Sequence, residues 1–217
     1  MSKNLHIHFL NASNELTKAD ISTLEHYISE VLDKTSEVLD IAEIDYVIKN
    51  DSERTIESIG VCGNAYEKNQ VTLYIDKNFS GFPESIKKAL QATVVHETHH
   101  VMRERAGTYG ATLLDAMVAE GLADHFSEEV MNNKNMWHNK VYANVPDMID
   151  RSKKELDSDS FDYAAWFFGS KEKGIPRYTG YAMGYRIVGR YLHSKNETAG
   201  GSVATLSKNF KEFLAEQ

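Results

Sequence analysis

The stretch from Thr93 to Arg105, TVVHETHHVMRER, constrains this chain more than any other, because His96-Glu97-Thr98-His99-His100 reads HExxH. On an α-helix, positions i and i+4 stand one turn apart on the same face. A helix here lets His96 and His100 each aim an imidazole nitrogen at a single point, with Glu97 beside that point. Zinc asks for such an arrangement: neutral imidazoles as ligands at about 2.0–2.1 Å, and a nearby carboxylate to take a proton from activated water. His99 is rotated about 100° from His100 and falls outside the ligand set.

A helical pattern resumes at Thr112, in TLLDAMVAEGLADHFSEEV. Thr112 and Asp115 read as a capping box, and Leu113, Leu114, Met117, Val118, Leu122 and Phe126 form the apolar face. Glu120 and Asp124 make a second i, i+4 pair. A catalytic zinc takes three protein ligands and keeps a fourth position open, so Glu120 completes the set begun by His96 and His100. Asp124, one turn on, is placed to accept the remaining ring N–H of a ligating histidine. His125 is either a neighbour of that kind or a surface residue.

The spacing His96-Glu97-x-x-His100, nineteen residues, then Glu120-x-x-x-Asp124 resembles the thermolysin-like gluzincin pattern. More closely, TVVHETHHVMR, TLLDAMVAEGLADHF and RYTGYAMGYRIV together resemble a bacterial domain-of-unknown-function family of predicted zinc-dependent proteases, the YjaZ-like family. The resemblance covers about residues 90 to 195. It implies an α+β, zincin-like domain acting on a peptide or protein substrate.

Composition bounds the rest. The chain has 217 residues, 41% hydrophobic and 26% charged, which suits one globular domain. We expect one zincin-like unit over 1–217, with the sheet and HExxH helix in 1–106 and a mainly helical part in 107–217. A net charge of −8 argues against a nucleic-acid groove. No apolar run reaches the ~18–20 residues of a membrane span. The start lacks an apolar signal region, and the single cysteine, Cys62, fits a reducing compartment. The expected location is cytoplasmic; a secreted form with its signal removed fits the same features.

Leu5–Leu10 alternates as a strand with His6 and His8 on its polar face. Thr17 with Asp20 caps a helix to about Leu39. Ile44–Ile48 reads as a strand, Gly60–Asn64 as a glycine turn, and Val71–Ile75 as a further strand. Pro83 opens the HExxH helix and Gly107 closes it, with Arg103–Arg105 complementing its dipole. A short helix is expected from Pro146 to about Leu156, after a polar turn at Asn132–Lys140. Ser152–Ser160 reads as a solvated charged linker, and Val203–Phe213 as an amphipathic closing helix.

The resemblance adds two expectations. Metallopeptidases of that kind pair extended substrate with an edge strand beside the zinc, which nominates Val71–Ile75, with Val71 and Leu73, for substrate binding. A plain structural strand is the alternative. Gluzincins also place a tyrosine or histidine donor at the oxyanion, after the glutamate ligand. Tyr181 is the first candidate and Tyr185 the second, one turn apart; packing in the core is the alternative for both. Gly180 and Gly184 allow a close approach to another element. Arg177 is a candidate for a substrate carboxylate or for an acidic residue of the core.

The expected activity is hydrolysis of a peptide bond, with zinc on His96, His100 and Glu120 and with Glu97 as general base. The alternatives are a catalytically silent zinc-binding module, or a zinc hydrolase of a non-peptide amide or ester.

Overall fold

A computed structural model of the chain describes residues 6–41, 43–133 and 145–214. It divides into two compact units, Met1–Met102 and Arg103–Gln217. The class is α+β with a small N-terminal sheet, as expected from the sequence.

The first unit starts with strand β1, His6–Leu10. Helix α1, Lys18–Val38, follows from the expected capping box: Asp20 N–H donates to Thr17 Oγ1 at 3.1 Å, and Thr17 N–H donates to Asp20 Oδ2 at 2.8 Å. These two bonds satisfy donors that the first helical turn leaves unused. The helix buries Leu24, Tyr27, Ile28, Val31 and Leu32. It carries the chain back so that β2, Asp45–Asn50, lies parallel to β1. Parallel neighbours need a crossover of this length, which a two-residue turn cannot supply. His8 Nε2 lies 2.7 Å from Asp45 Oδ1 on the exposed face, and His6 is exposed too.

Next come β3, Val61–Glu67, and β4, Gln70–Ile75, paired antiparallel as a hairpin. The sheet order is β1-β2-β4-β3. Two expectations change here. Gly60–Asn64 is not merely a turn, because Val61 to Asn64 run within β3. And Val71–Ile75 is not an edge: β4 bonds to β2 on one side and to β3 on the other. Its backbone is already engaged on both sides, and Val71 and Leu73 are fully buried. They are core residues, so substrate cannot pair there. A short apolar run reads alike in edge and interior strands until its neighbours are known.

After the Phe82–Pro83 bond, a 3-10 turn at Glu84–Ile86 leads into helix α2, Lys87–Arg105, which carries HExxH. Gly107, at φ +68°, reverses the chain beyond it, and Thr108 N–H donates to Arg103 O at 3.0 Å. Gln91 ties α2 to α1 by donating to Tyr27 O at 3.0 Å.

The second unit holds α3, Leu113–Met131, α4, Val145–Ser152, α5, Tyr163–Phe168, and α6, Thr179–Lys195. A 3-10 turn at Ser207–Phe213 closes the described chain, where an α-helix from Val203 was expected. The polar turn expected beyond Asn133, residues 134–140, lies outside the described residues. Thr112 caps α3 with Asp115, as expected. The segment expected to be a solvated linker does more than that. Leu113 N–H donates to Ser158 O and Leu114 N–H to Leu156 O, Leu156 is buried, and Glu155 accepts from Trp166 Nε1 at 3.1 Å. Residues 155–158 thus satisfy two N–H groups that the start of α3 leaves without helical partners.

Helices α3 and α6 meet backbone to backbone. A Cβ at Gly184 would collide with Met117 O, and one at Gly121 with Gly184 O. Arg103, expected to complement the helix dipole, is fully buried. Its guanidinium donates to Thr108 O at 2.6 Å, Val203 O at 3.1 Å and Thr205 O at 3.2 Å. Burial lowers its pKa to about 10, which leaves it charged at neutral pH. A guanidinium has enough donors to bond three carbonyls at once, and this one holds the C-terminal segment.

Candidate metal centre

Helix α2 fixes its histidines by how it sits on the sheet. Thr98 Oγ1 donates back to Val94 O at 2.6 Å, so its single proton is used. Tyr46 of β2 must then donate to it across the 2.9 Å separation. That buried bond sets the rotation of α2. Thr98 and His99 face inward, fully buried, while His96 and His100 share the adjoining face. The Nε2 atoms of His96 and His100 are 3.0 Å apart, with the rings edge to face at 82°. Two nitrogens bound to one tetrahedral metal at about 2.0–2.1 Å would stand about 3.3 Å apart. The pair is therefore nearly set for a shared ion.

Glu97 is buried, with 8% exposure. It lies against β3 at Gly63, where a Cβ would fall 2.5 Å from Glu97 Cγ, 2.8 Å from Glu97 Oε1 and 2.6 Å from Thr93 Cγ2. Only a glycine lets strand and helix come this close. Cys62, beside it, is partly buried; burial and then the Glu97 charge push its thiol up, so it is a poor nucleophile at neutral pH.

On α3, Glu120 and Asp124 are both buried within an apolar helix, one turn apart. Burying carboxylates is expensive unless they are bonded or bind a cation. His96, His100 and Glu120 each offer one ligand atom, and these atoms all lie within 4.8 Å of one another. Two imidazoles and one carboxylate make the donor set of a catalytic zinc, with room for a fourth position. Among the described residues, no other group of three or more His, Cys, Asp and Glu side chains is so arranged.

The two candidate phenols go different ways. Tyr185 donates to Glu128 Oε2 at 2.8 Å and stacks on His125, with centroids 4.1 Å apart and planes 10° apart. His125 Nε2 is 2.9 Å from Tyr185 O, so it carries the proton and donates there. These contacts make His125, Glu128 and Tyr185 one packed cluster. Burial, and then the bond to Glu128, raise the Tyr185 phenol. Tyr181 instead meets Phe167 edge-on at 5.0 Å. Arg177 is exposed, its guanidinium 4.5 Å from the centre of the Tyr178 ring.

Tyr163 is the residue that sequence reasoning missed. Its hydroxyl donates to Glu120 Oε1 at 3.4 Å, across forty-three positions of sequence. Its segment, FDYAAWFFG, is rich in aromatic residues, but no spacing rule links it to Glu120. Gly63 was missed for the same reason.

A family model described as Predicted Zn-dependent protease (DUF2268) matches residues 18–212. Neither the curated proteins nor the solved structures contain a match to the chain.

Proposed function

The chain belongs to that family of predicted Zn-dependent proteases, and on this premise we propose that it hydrolyses peptide bonds at one zinc held by His96, His100 and Glu120. The convergence of these three ligand atoms carries the reading. Bound there, zinc would polarise the substrate carbonyl and acidify a water molecule. Glu97, next to His96 in the sequence, takes the proton from the attacking water and passes it to the leaving amine. Its place against Gly63 keeps the carboxylate in one position while it does so. Asp124 accepts the second ring N–H of a ligating histidine and so fixes its tautomer. Tyr181 is the donor to the tetrahedral oxyanion, since the one proton of Tyr163 goes to Glu120 and that of Tyr185 to Glu128.

The strand that receives substrate is β3 rather than β4. It ends the sheet, pairs with β4 on one side and bridges to Ile56 on the other at Val61 alone among the described residues, and carries Gly63 beside Glu97. An extended peptide added to such an edge gains main-chain hydrogen bonds whatever its sequence.

The test compares wild type with Glu97→Gln on a mixed peptide library, with and without chelator. Wild type should cleave in a chelator-sensitive way. Glu97→Gln should keep its zinc and fold yet lose turnover by at least about 100-fold, within the range general-base catalysis contributes. Equal turnover in the two proteins would remove Glu97 from the role. If both hold zinc and neither cleaves, the chain is a zinc-binding module.

A further inference from the structure

We propose that Tyr163 is a positioning residue that holds the Glu120 carboxylate in its ligand orientation. This rests on the reading of Glu120 as a metal ligand. The terminal torsion of a glutamate is broad, so a carboxylate without a second contact samples many planes. A bond to one oxygen selects one plane and leaves the other oxygen for the ion. Tyr163 supplies that bond at Oε1.

A phenol has one proton to give, and that of Tyr163 goes to Glu120. The Tyr163 ring stacks on Phe167, with centroids 4.3 Å apart and planes at 14°. Phe167 in turn needs Gly180, where a Cβ would fall 2.7 Å from its ring. Tyr163 is also the first residue of α5, just after its cap: Ala165 N–H donates to Asp162 Oδ1 at 3.0 Å, and Lys173 Nζ holds Asp162 Oδ2 at 2.6 Å.

Packing alone does not account for this residue. Tyr163 is 40% exposed, so its ring adds less buried area than its neighbours Trp166 and Phe167, which are fully buried. What the hydroxyl reaches is a buried carboxylate of the proposed metal centre. Partners of this kind typically change metal affinity by about 10–100-fold.

The experiment uses the full chain, stripped of metal and titrated with zinc against a chromophoric chelator. Cobalt(II) is bound in parallel, and its visible absorption read. Tyr163→Phe should bind zinc about 10–100-fold more weakly and shift the cobalt bands, while the metal-free protein keeps its Tm. Wild-type affinity and an unshifted cobalt spectrum in Tyr163→Phe would overturn the proposal, whatever its turnover. So would a lower metal-free Tm with unchanged affinity, which marks a purely structural phenol. Glu120→Ala separates the two readings: if it binds zinc as tightly as wild type, Glu120 is not a ligand and the proposal falls with that assignment. If it binds weakly and Tyr163→Phe does not, the proposal alone fails.

Discussion

Two tyrosines one helical turn apart on α6 look equivalent in sequence and are not equivalent in surroundings. Tyr185 gives its proton to Glu128, which is only 8% exposed, and its ring lies flat on His125. Removing that hydroxyl would leave a buried carboxylate short of a donor, a loss of about 1–3 kcal/mol. Tyr185→Phe is therefore expected to lower stability by that amount in denaturant titration, with kcat per folded molecule close to wild type. A 100-fold drop in kcat at unchanged stability would instead make Tyr185 the oxyanion donor. Tyr181 is the contrasting case: its ring packs edge-on against Phe167, and Tyr181→Phe, as loss of the proposed oxyanion donor, should lower kcat by about 100-fold with stability close to wild type.

At the scale of elements, the close contact of β3 with α2 matters more than either element alone. A strand glycine ordinarily weakens a sheet, since it packs nothing and loses more entropy on folding. Gly63 is retained where a side chain would strike Thr93 and Glu97. The flexible end of Glu97 can move aside more readily than the helix backbone, so a methyl group there should displace the carboxylate. Gly63→Ala should thus leave zinc binding near wild type while lowering kcat by about 100-fold, the cost of a misplacement near 1 Å. Loss of zinc together with activity would mean that α2 itself had shifted. Normal activity would show that Glu97 does not depend on Gly63 for its position.

For the whole molecule, pH dependence follows from where charged and neutral groups are held. Tyr185 and Tyr191, both in the second unit, have phenols raised above 10, by burial first and then by neighbouring carboxylates. The native state binds these protons more tightly than the unfolded chain does. Their contribution is complete below about pH 10 and is lost as pH rises through the native values. Glu30, in the first unit, moves the other way: hydrogen bonds from Lys87 and Lys34 hold it at about 2. Its contribution is present above about pH 4.5 and fades as pH falls toward 2. The Tm of the metal-free protein should be level between about pH 5 and 9 and fall on both sides. Tyr185→Phe should flatten the alkaline fall. A steep decline already between pH 7 and 9 would show that other groups govern stability. No helix among the described residues is long and apolar enough to cross a membrane.

What the sequence determined by itself is everything that one or two helical turns can encode. The pairing of His96 with His100 and of Glu120 with Asp124, and the two capping boxes at Thr17 and Thr112, need only partners three or four residues away. Spacing therefore states them outright. The order of strands, the interior place of β4, the burial of Arg103 and the reach of Tyr163 to Glu120 were decided only in the tertiary structure. Each depends on a partner dozens of residues away, and no local window records which distant segment will be there. An apolar run such as Val71–Ile75 satisfies an edge and an interior position equally well, until β3 takes the place beside it.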